Sequence, residues 1–192
     1  MFDAQTFQSL LRLSVTEPEK GAVAVIGINP PIGARWTLLA LAVVLGTVLA
    51  YLPLILGGSG QAMLSPITAT VLQGGMNVAA VALISAVGRM FGGQGSFEDA
   101  LLLVGWLQVI MLVLQAIQLV VMLILPPLTG LVIILSIALF FWLLSGFICA
   151  LHGFESRFRV LLGTFGTLFI AAFVFLLILQ ILGIELPGMR NA

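Results

Sequence analysis

DALLLVGWLQVIMLVLQAIQLVVMLILPPLTGLVIILSIALFFWLLSGFICALHGFE (Asp99–Glu155) is the stretch of sequence that decides the fold. Between its two acidic ends lie 55 residues without an Asp, Glu, Lys or Arg. One continuous helix of that length would be roughly 80 Å long, whereas the hydrocarbon core of a bilayer is about 30 Å thick. Pro126-Pro127 interrupts the stretch, and proline ends or kinks a helix. The sequence therefore predicts two membrane-spanning helices joined there by a tight turn.

Three further apolar segments extend the pattern to five spans. We predict the five spans at about residues 36–56, 66–90, 97–125, 128–151 and 158–182. The composition agrees, since 61% of the residues are hydrophobic and 7% are charged, against about 25% charged in a typical soluble domain. We predict an all-α, polytopic transmembrane helical bundle.

Two short amphipathic helices are predicted ahead of the first span. Residues 2–14 carry their apolar side chains on one side, so this segment either lies in the headgroup plane or is a frayed terminus. Thr16 is the predicted N-cap of a second helix, with Pro18 in its first turn and Glu19 at the capping-box position. That helix should end by residue 29, because two prolines follow.

The basic residues predict the orientation. Arg190 alone lies on the C-terminal side, and the other six share the side of the N-terminus: Arg12, Lys20, Arg35, Arg89, Arg157 and Arg159. Positive residues flank spans on the cytoplasmic face, which predicts a cytoplasmic N-terminus and an external C-terminus. The domain prediction is an amphipathic cytoplasmic or interfacial segment at 1–34, a five-span domain at 35–183 and an external tail at 184–192. No cleavable signal peptide is expected, since no short early apolar core is present.

Several chemistries find no support in the sequence. A net charge of zero offers no basic face for nucleic acid. One cysteine, Cys149, and one histidine, His152, exclude an internal disulfide and a multi-histidine metal site. Gly92-Gly93-Gln94-Gly95 lacks the Gly-Lys-Ser/Thr of a phosphate loop. We expect no enzymatic activity, no metal and no cofactor, and the absence of ionisable groups near mid-span argues against a coupled transporter.

Small and polar residues within the spans predict helix contacts. Small residues four apart should mark packed faces: Ala42, Gly46 and Ala50; Gly75 and Ala79; Ala82 and Ala86; Gly163, Thr167 and Ala171. Amides need partners in hydrocarbon, and five lie in or near the second and third spans: Gln73, Asn77, Gln108, Gln115 and Gln118. Hydrogen bonds between helices are the favoured interpretation, and a polar path through the membrane is the alternative.

The loops on the N-terminal side carry a candidate interaction surface. Its residues are Arg89, Glu98, Asp99, His152, Glu155, Arg157 and Arg159. They either dock a partner or simply set the orientation of the spans, and the second interpretation is favoured because loop charges do so anyway.

Three stretches resemble the Yip1 family of five-span membrane proteins. They are GGQGSFEDAL (Gly92–Leu101), VGW (Val104–Trp106) and SGFICALHGFESRFRV (Ser145–Val160). TEPEKGAV (Thr16–Val23) suits the helix before the first span of short prokaryotic members. A proline that often follows the family's Gly-Tyr pair is absent here, as are the long N-terminal region and acidic motif of eukaryotic members.

The resemblance implies a bacterial inner-membrane protein without enzymatic activity. It would act by association with lipid, with a membrane-protein partner or with further copies of itself. Binding of Rab GTPases is a property of the eukaryotic relatives and is not expected here. The alternative is a permease, channel or lipid-translocating protein that uses the polar faces of the second and third spans.

Overall fold

Helices account for nearly all of the described structure. The computed structural model describes residues 3–56 and 64–181. The helices are α1 (Ala4–Thr16), α2 (Pro18–Gly27), α3 (Ile32–Leu56), α4 (Pro66–Met90), α5 (Phe97–Ile124), α6 (Thr129–His152) and α7 (Arg157–Ile181). Five of them, α3 to α7, are long and apolar enough to cross a membrane. The prediction of an all-α bundle with five spans is confirmed. The predicted tail at 184–192 lies outside the described residues.

The turn between α5 and α6 forms where the two prolines interrupt the sequence. Leu125 ends α5 by donating its N–H to the Val121 carbonyl at 2.7 Å. A single 3₁₀ turn, Pro126–Leu128, then reverses the chain. Proline tolerates this position because the first N–H groups of a helix have no partner within it.

The N-terminal helices begin at other residues than predicted, whereas α2 ends at Gly27, within the predicted limit of residue 29. Asp3 caps α1 by accepting the Thr6 N–H at 2.7 Å, and this bond lowers the pKa of the Asp3 carboxyl. Thr16 was predicted to cap the second helix, which is wrong. It is the last residue of α1 and donates its hydroxyl to the Arg12 carbonyl at 3.0 Å. Because Thr16 still belongs to α1, it does not occupy the N-cap position of the next helix, and Glu17 takes the N-cap position of α2 without a side-chain bond.

The two short helices pack onto the bundle. Phe7 meets the ring of Trp106 edge to face at 5.6 Å, and the Trp106 indole N–H donates to the buried Ser14 hydroxyl at 2.9 Å. Pro18 of α2 packs against Gly146 of α6, where an added Cβ would lie 2.5 Å from the proline Cβ. A frayed N-terminus is therefore the wrong interpretation of residues 4–16.

Helix α5 is the centre of the bundle. Each residue from Ala100 to Leu107 is buried, because α2, α3, α4 and α6 all pack against α5. Helix α7 packs mainly on α6. Among the described residues, one side of α7 consequently has no helix beside it, and this asymmetry creates the space described below.

The small residues meet the packing prediction in only one span. Ala42 and Gly46 of α3 are buried, as expected, although Ala50 is exposed. The four small residues predicted to pack in α4 are exposed: Gly75, Ala79, Ala82 and Ala86. Helix α4 instead buries Asn77, Val81 and Ser85. Its rotation follows from the hydrogen bond between Asn77 and α5, which turns the small residues away from the core.

Candidate functional site

A histidine at the end of α6 joins three elements at one end of the bundle. The His152 residue is 3% exposed. Its Nδ1 accepts the Gly95 N–H at 3.1 Å, and its Nε2 lies 3.1 Å from the Ile84 carbonyl oxygen. Because a backbone N–H needs an unprotonated acceptor, Nε2 carries the ring proton and donates it to Ile84. His152 thereby ties α6 to α4 and to the loop before α5.

Glycines make room for this ring. A Cβ at Gly88, Gly93 or Gly95 would overlap the His152 side chain. Gly92 has a φ of +85°, a conformation that glycine adopts without strain. The Gly92–Gly95 segment is therefore explained by its packing around an imidazole. We call His152 together with Gly88, Gly93 and Gly95 the histidine joint.

A buried ion pair fixes the start of α5. The Arg35 side chain, 4% exposed, bonds Asp99 at 2.8 Å. Two more bonds of 2.9 Å run from its guanidinium to the Pro30 carbonyl and to the Asn29 side chain. In the sequence, Arg35 was counted only among the basic residues that predict the orientation, and this pairing was missed because 64 residues separate it from Asp99.

A second ion pair holds the start of α7. Arg157 bonds the Glu19 carboxylate at 2.5 Å, and its guanidinium lies 4.7 Å from the centre of the Trp142 ring. Glu17 and Lys20 form a more exposed pair in α2, which raises the pKa of Lys20. That the charge of Glu19 in α2 reaches α7 was not predicted from the sequence.

The structure thus divides the seven residues of the predicted interaction surface into two groups. Asp99, His152 and Arg157 make contacts within the fold. The other four are exposed: Arg89, Glu98, Glu155 and Arg159.

The predicted intramembrane amides contact three different spans. Gln108 donates to Asn77 of α4 at 2.5 Å, Gln115 donates to the Gly46 carbonyl of α3 at 3.1 Å, and Gln118 donates to Ser136 of α6 at 2.8 Å. The Gln73 amide also approaches α3, 3.8 Å from where a Cβ at Gly46 would stand. These contacts connect α5 to its neighbours inside the bilayer.

A groove of about 1170 Å³ separates α4 from α7. Residues of α5 and α6, among them Leu107 and Leu144, form its floor. Glu155, Ser156 and Arg159 line the end near the histidine joint, and Asn77 and Gln108 line it farther along the helices. Most of the remaining lining is aliphatic or aromatic. We call this feature the α4–α7 groove.

The α4–α7 groove was not predicted from the sequence. Ala79 and Gly163 belong to small-residue patterns that predict close helix contacts, yet both line open space. The groove depends on how α4 rotates and on which helix α7 packs against, and neither can be read from spacing along one helix.

The comparison with protein families decides what kind of protein this is. The family model described as the Yip1 domain matches residues 14–183. The chain belongs to the Yip1 family. Neither the search of curated proteins nor that of solved structures returned a match. Within this Yip1 domain, the stretches Gly92–Leu101 and Ser145–Val160 meet at the histidine joint, so the likeness rests on residues that contact one another.

Proposed function

We propose that this Yip1-family protein is a non-enzymatic protein of the bacterial cytoplasmic membrane that acts by associating with another membrane component. That component is a lipid, a partner protein or a second copy of the chain. The α4–α7 groove carries the proposal, because it is an apolar space of about 1170 Å³ with few polar groups. Ligand-binding pockets are typically lined by apolar side chains with a small number of polar groups.

The contacts around the groove support a preformed binding site. The histidine joint holds the end of α4 against α6, and the bond between Arg157 and Glu19 holds the start of α7. Rigid walls reduce the ordering cost of binding. These contacts serve binding, and none of them implies a chemical reaction of the bound component.

The amide contacts favour association over transport. A polar path would need a row of amides that face one open space. Gln108 does line the groove, but it donates its hydrogen bond to Asn77, and Gln115 lies outside the groove and donates to the Gly46 carbonyl of α3. Such bonds are typical of structural contacts in membrane bundles and contribute roughly 0.6–2 kcal/mol each. A permease or lipid translocator is therefore the less supported alternative.

The orientation is part of the proposal. Six of the seven basic residues lie on the side of the N-terminus, which favours a cytoplasmic N-terminus. On that orientation the charged end of the groove opens toward the cytoplasm.

Retention of a bound component tests the proposal. Gly163 and Gly166 both lie on α7 with open space at Cβ, but only Gly163 lines the groove. The wild type, Gly163→Phe and Gly166→Phe would be purified in mild detergent from native membranes and analysed by native mass spectrometry. We expect the wild type and Gly166→Phe to retain a lipid or polypeptide that Gly163→Phe loses. Equal retention by all three proteins would contradict the proposal.

A further inference from the structure

We propose that the α4–α7 groove holds one phospholipid with a primary amine in its headgroup, of the phosphatidylethanolamine type. The lipid belongs to the leaflet on the N-terminal side, with its phosphate at Arg159, its ammonium at Glu155 and its acyl chains directed toward Asn77. This inference rests on the proposed associating function and specifies its ligand.

The length of the groove matches one leaflet. Its α7 wall runs from Arg159 to Leu168, and its α4 wall runs from Gly88 to Met76. These intervals correspond to about 14 and 18 Å of helix rise, close to half of the ~30 Å hydrocarbon core. A transmembrane helix of a partner protein would need a contact face as long as the whole hydrocarbon core is thick. The acyl chains of one leaflet therefore fit this space better.

The lining of the groove suits flexible hydrocarbon. Leu83, Val87 and Leu168 contribute aliphatic surface, while the small residues Ala79 and Gly163 leave space between the two walls. The α4 wall is apolar from Ala79 to Gly88. On the α7 wall, Thr164 and Thr167 donate their hydroxyls to carbonyls of their own helix, and at the far end Gln108 donates to Asn77. A headgroup at the charged end and acyl chains along the walls therefore suit this lining.

The two charged lining residues distinguish between headgroups. Glu155 and Arg159 are exposed, and within residues 3–56 and 64–181 the ion pairs involve other residues. A guanidinium binds phosphate through paired N–H donors, and a carboxylate accepts hydrogen bonds from a primary ammonium. Phosphatidylcholine has no N–H to donate, and phosphatidylglycerol offers the same phosphate to Arg159 but a neutral glycerol in place of the ammonium, so the Glu155 carboxylate would lack its cationic partner.

The test is lipid competition on the full chain. Wild-type protein would be reconstituted into nanodiscs that contain equal amounts of phosphatidylethanolamine, phosphatidylcholine and phosphatidylglycerol, then released for native mass spectrometry. We expect one retained phosphatidylethanolamine, favoured about tenfold over each competitor, since one good charge-assisted contact is worth that factor. Glu155→Gln should abolish the preference for the amine, whereas Glu98→Gln, at an exposed carboxylate away from the groove, should keep it. Arg159→Gln should lower the retention of all three lipids.

The outcomes separate this inference from the broader proposal. Equal retention of the three headgroups, a preference for phosphatidylglycerol, or a preference that survives Glu155→Gln would each overturn the assignment of the lipid. A polypeptide lost on Gly163→Phe and kept on Gly166→Phe would overturn it too, while leaving the associating function intact. If nothing that the protein retains depends on Gly163, both proposals fail.

Discussion

Replacing His152 by alanine tests the histidine joint, the contact on which the charged end of the groove depends. The substitution removes the acceptor for the Gly95 N–H and the donor to the Ile84 carbonyl. A buried polar group that loses its partner costs about 1–3 kcal/mol, and the space left by the ring adds a cavity term. We expect His152→Ala to lower the free energy of unfolding by about 3–5 kcal/mol.

The assay uses a probe that the chain already contains. Cys149 is the only cysteine and is 2% exposed, so a fluorogenic maleimide will react with it as the protein unfolds. The expected loss of stability corresponds to a melting temperature lower by roughly 10 °C for a chain of this size. Ile134→Ala, at an exposed position of the same helix, is the control and should melt close to the wild type.

A second substitution, His152→Asn, tests the histidine joint even if His152→Ala folds poorly. His152→Asn keeps an acceptor near the position of Nδ1 and loses the group that donates to Ile84. Its melting temperature should fall between those of the wild type and His152→Ala. A His152→Ala protein within about 1 kcal/mol of wild type, or an Asn variant no more stable than the Ala variant, would refute the joint, because one buried hydrogen bond contributes about that much.

Two further substitutions test contacts that hold the same end of the bundle. Asp99→Asn leaves the buried Arg35 guanidinium without its counter-ion and should cost about 2–3 kcal/mol, less than the roughly 3–5 kcal/mol for a fully buried pair, because the Asp99 side chain is 29% exposed. A double-mutant cycle with Arg35→Met should give a coupling above about 1 kcal/mol, and purely additive effects would show that the pair is not coupled. Gly146→Val should detach α2 from α6, since Pro18 occupies the space of the new side chain, and limited proteolysis should then cut the N-terminal segment. Gly130→Val, where a Cβ meets open space on the same helix, should keep the wild-type proteolysis pattern.

The spans could be predicted because each is decided by its own composition. An uncharged apolar segment of sufficient length is stable in hydrocarbon whatever its neighbours are, so α5 and α6 follow from Asp99–Glu155 alone. The error at Thr16 shows the limit of local patterns. A threonine before Pro-Glu fits a capping box, but its hydroxyl is equally able to bond the preceding helix, and the packing of α1 and α2 decides between the two.

The site could be predicted only in part, because its contacts join distant segments. The sequence identified Asp99 and Arg157 as noteworthy charges without indicating that Arg35 and Glu19 are their partners. Small residues on α4 predicted packing, yet the bond from Gln108 to Asn77 orients that helix differently. Buried polar contacts constrain rotation more strongly than a small-residue pattern does, since an unpaired amide in hydrocarbon is costly.

Photo-crosslinking from α7 in intact membranes tests most directly whether the groove is occupied. A photoreactive leucine analogue would replace Leu168, which lines the groove, or, as the matched position on the same helix outside the groove, the exposed Leu162. We expect one discrete adduct from position 168, and the yield of that adduct should fall when Ala79→Phe fills the opposite wall. Indistinguishable adducts from the two positions, unaffected by Ala79→Phe, would contradict a binding groove between α4 and α7.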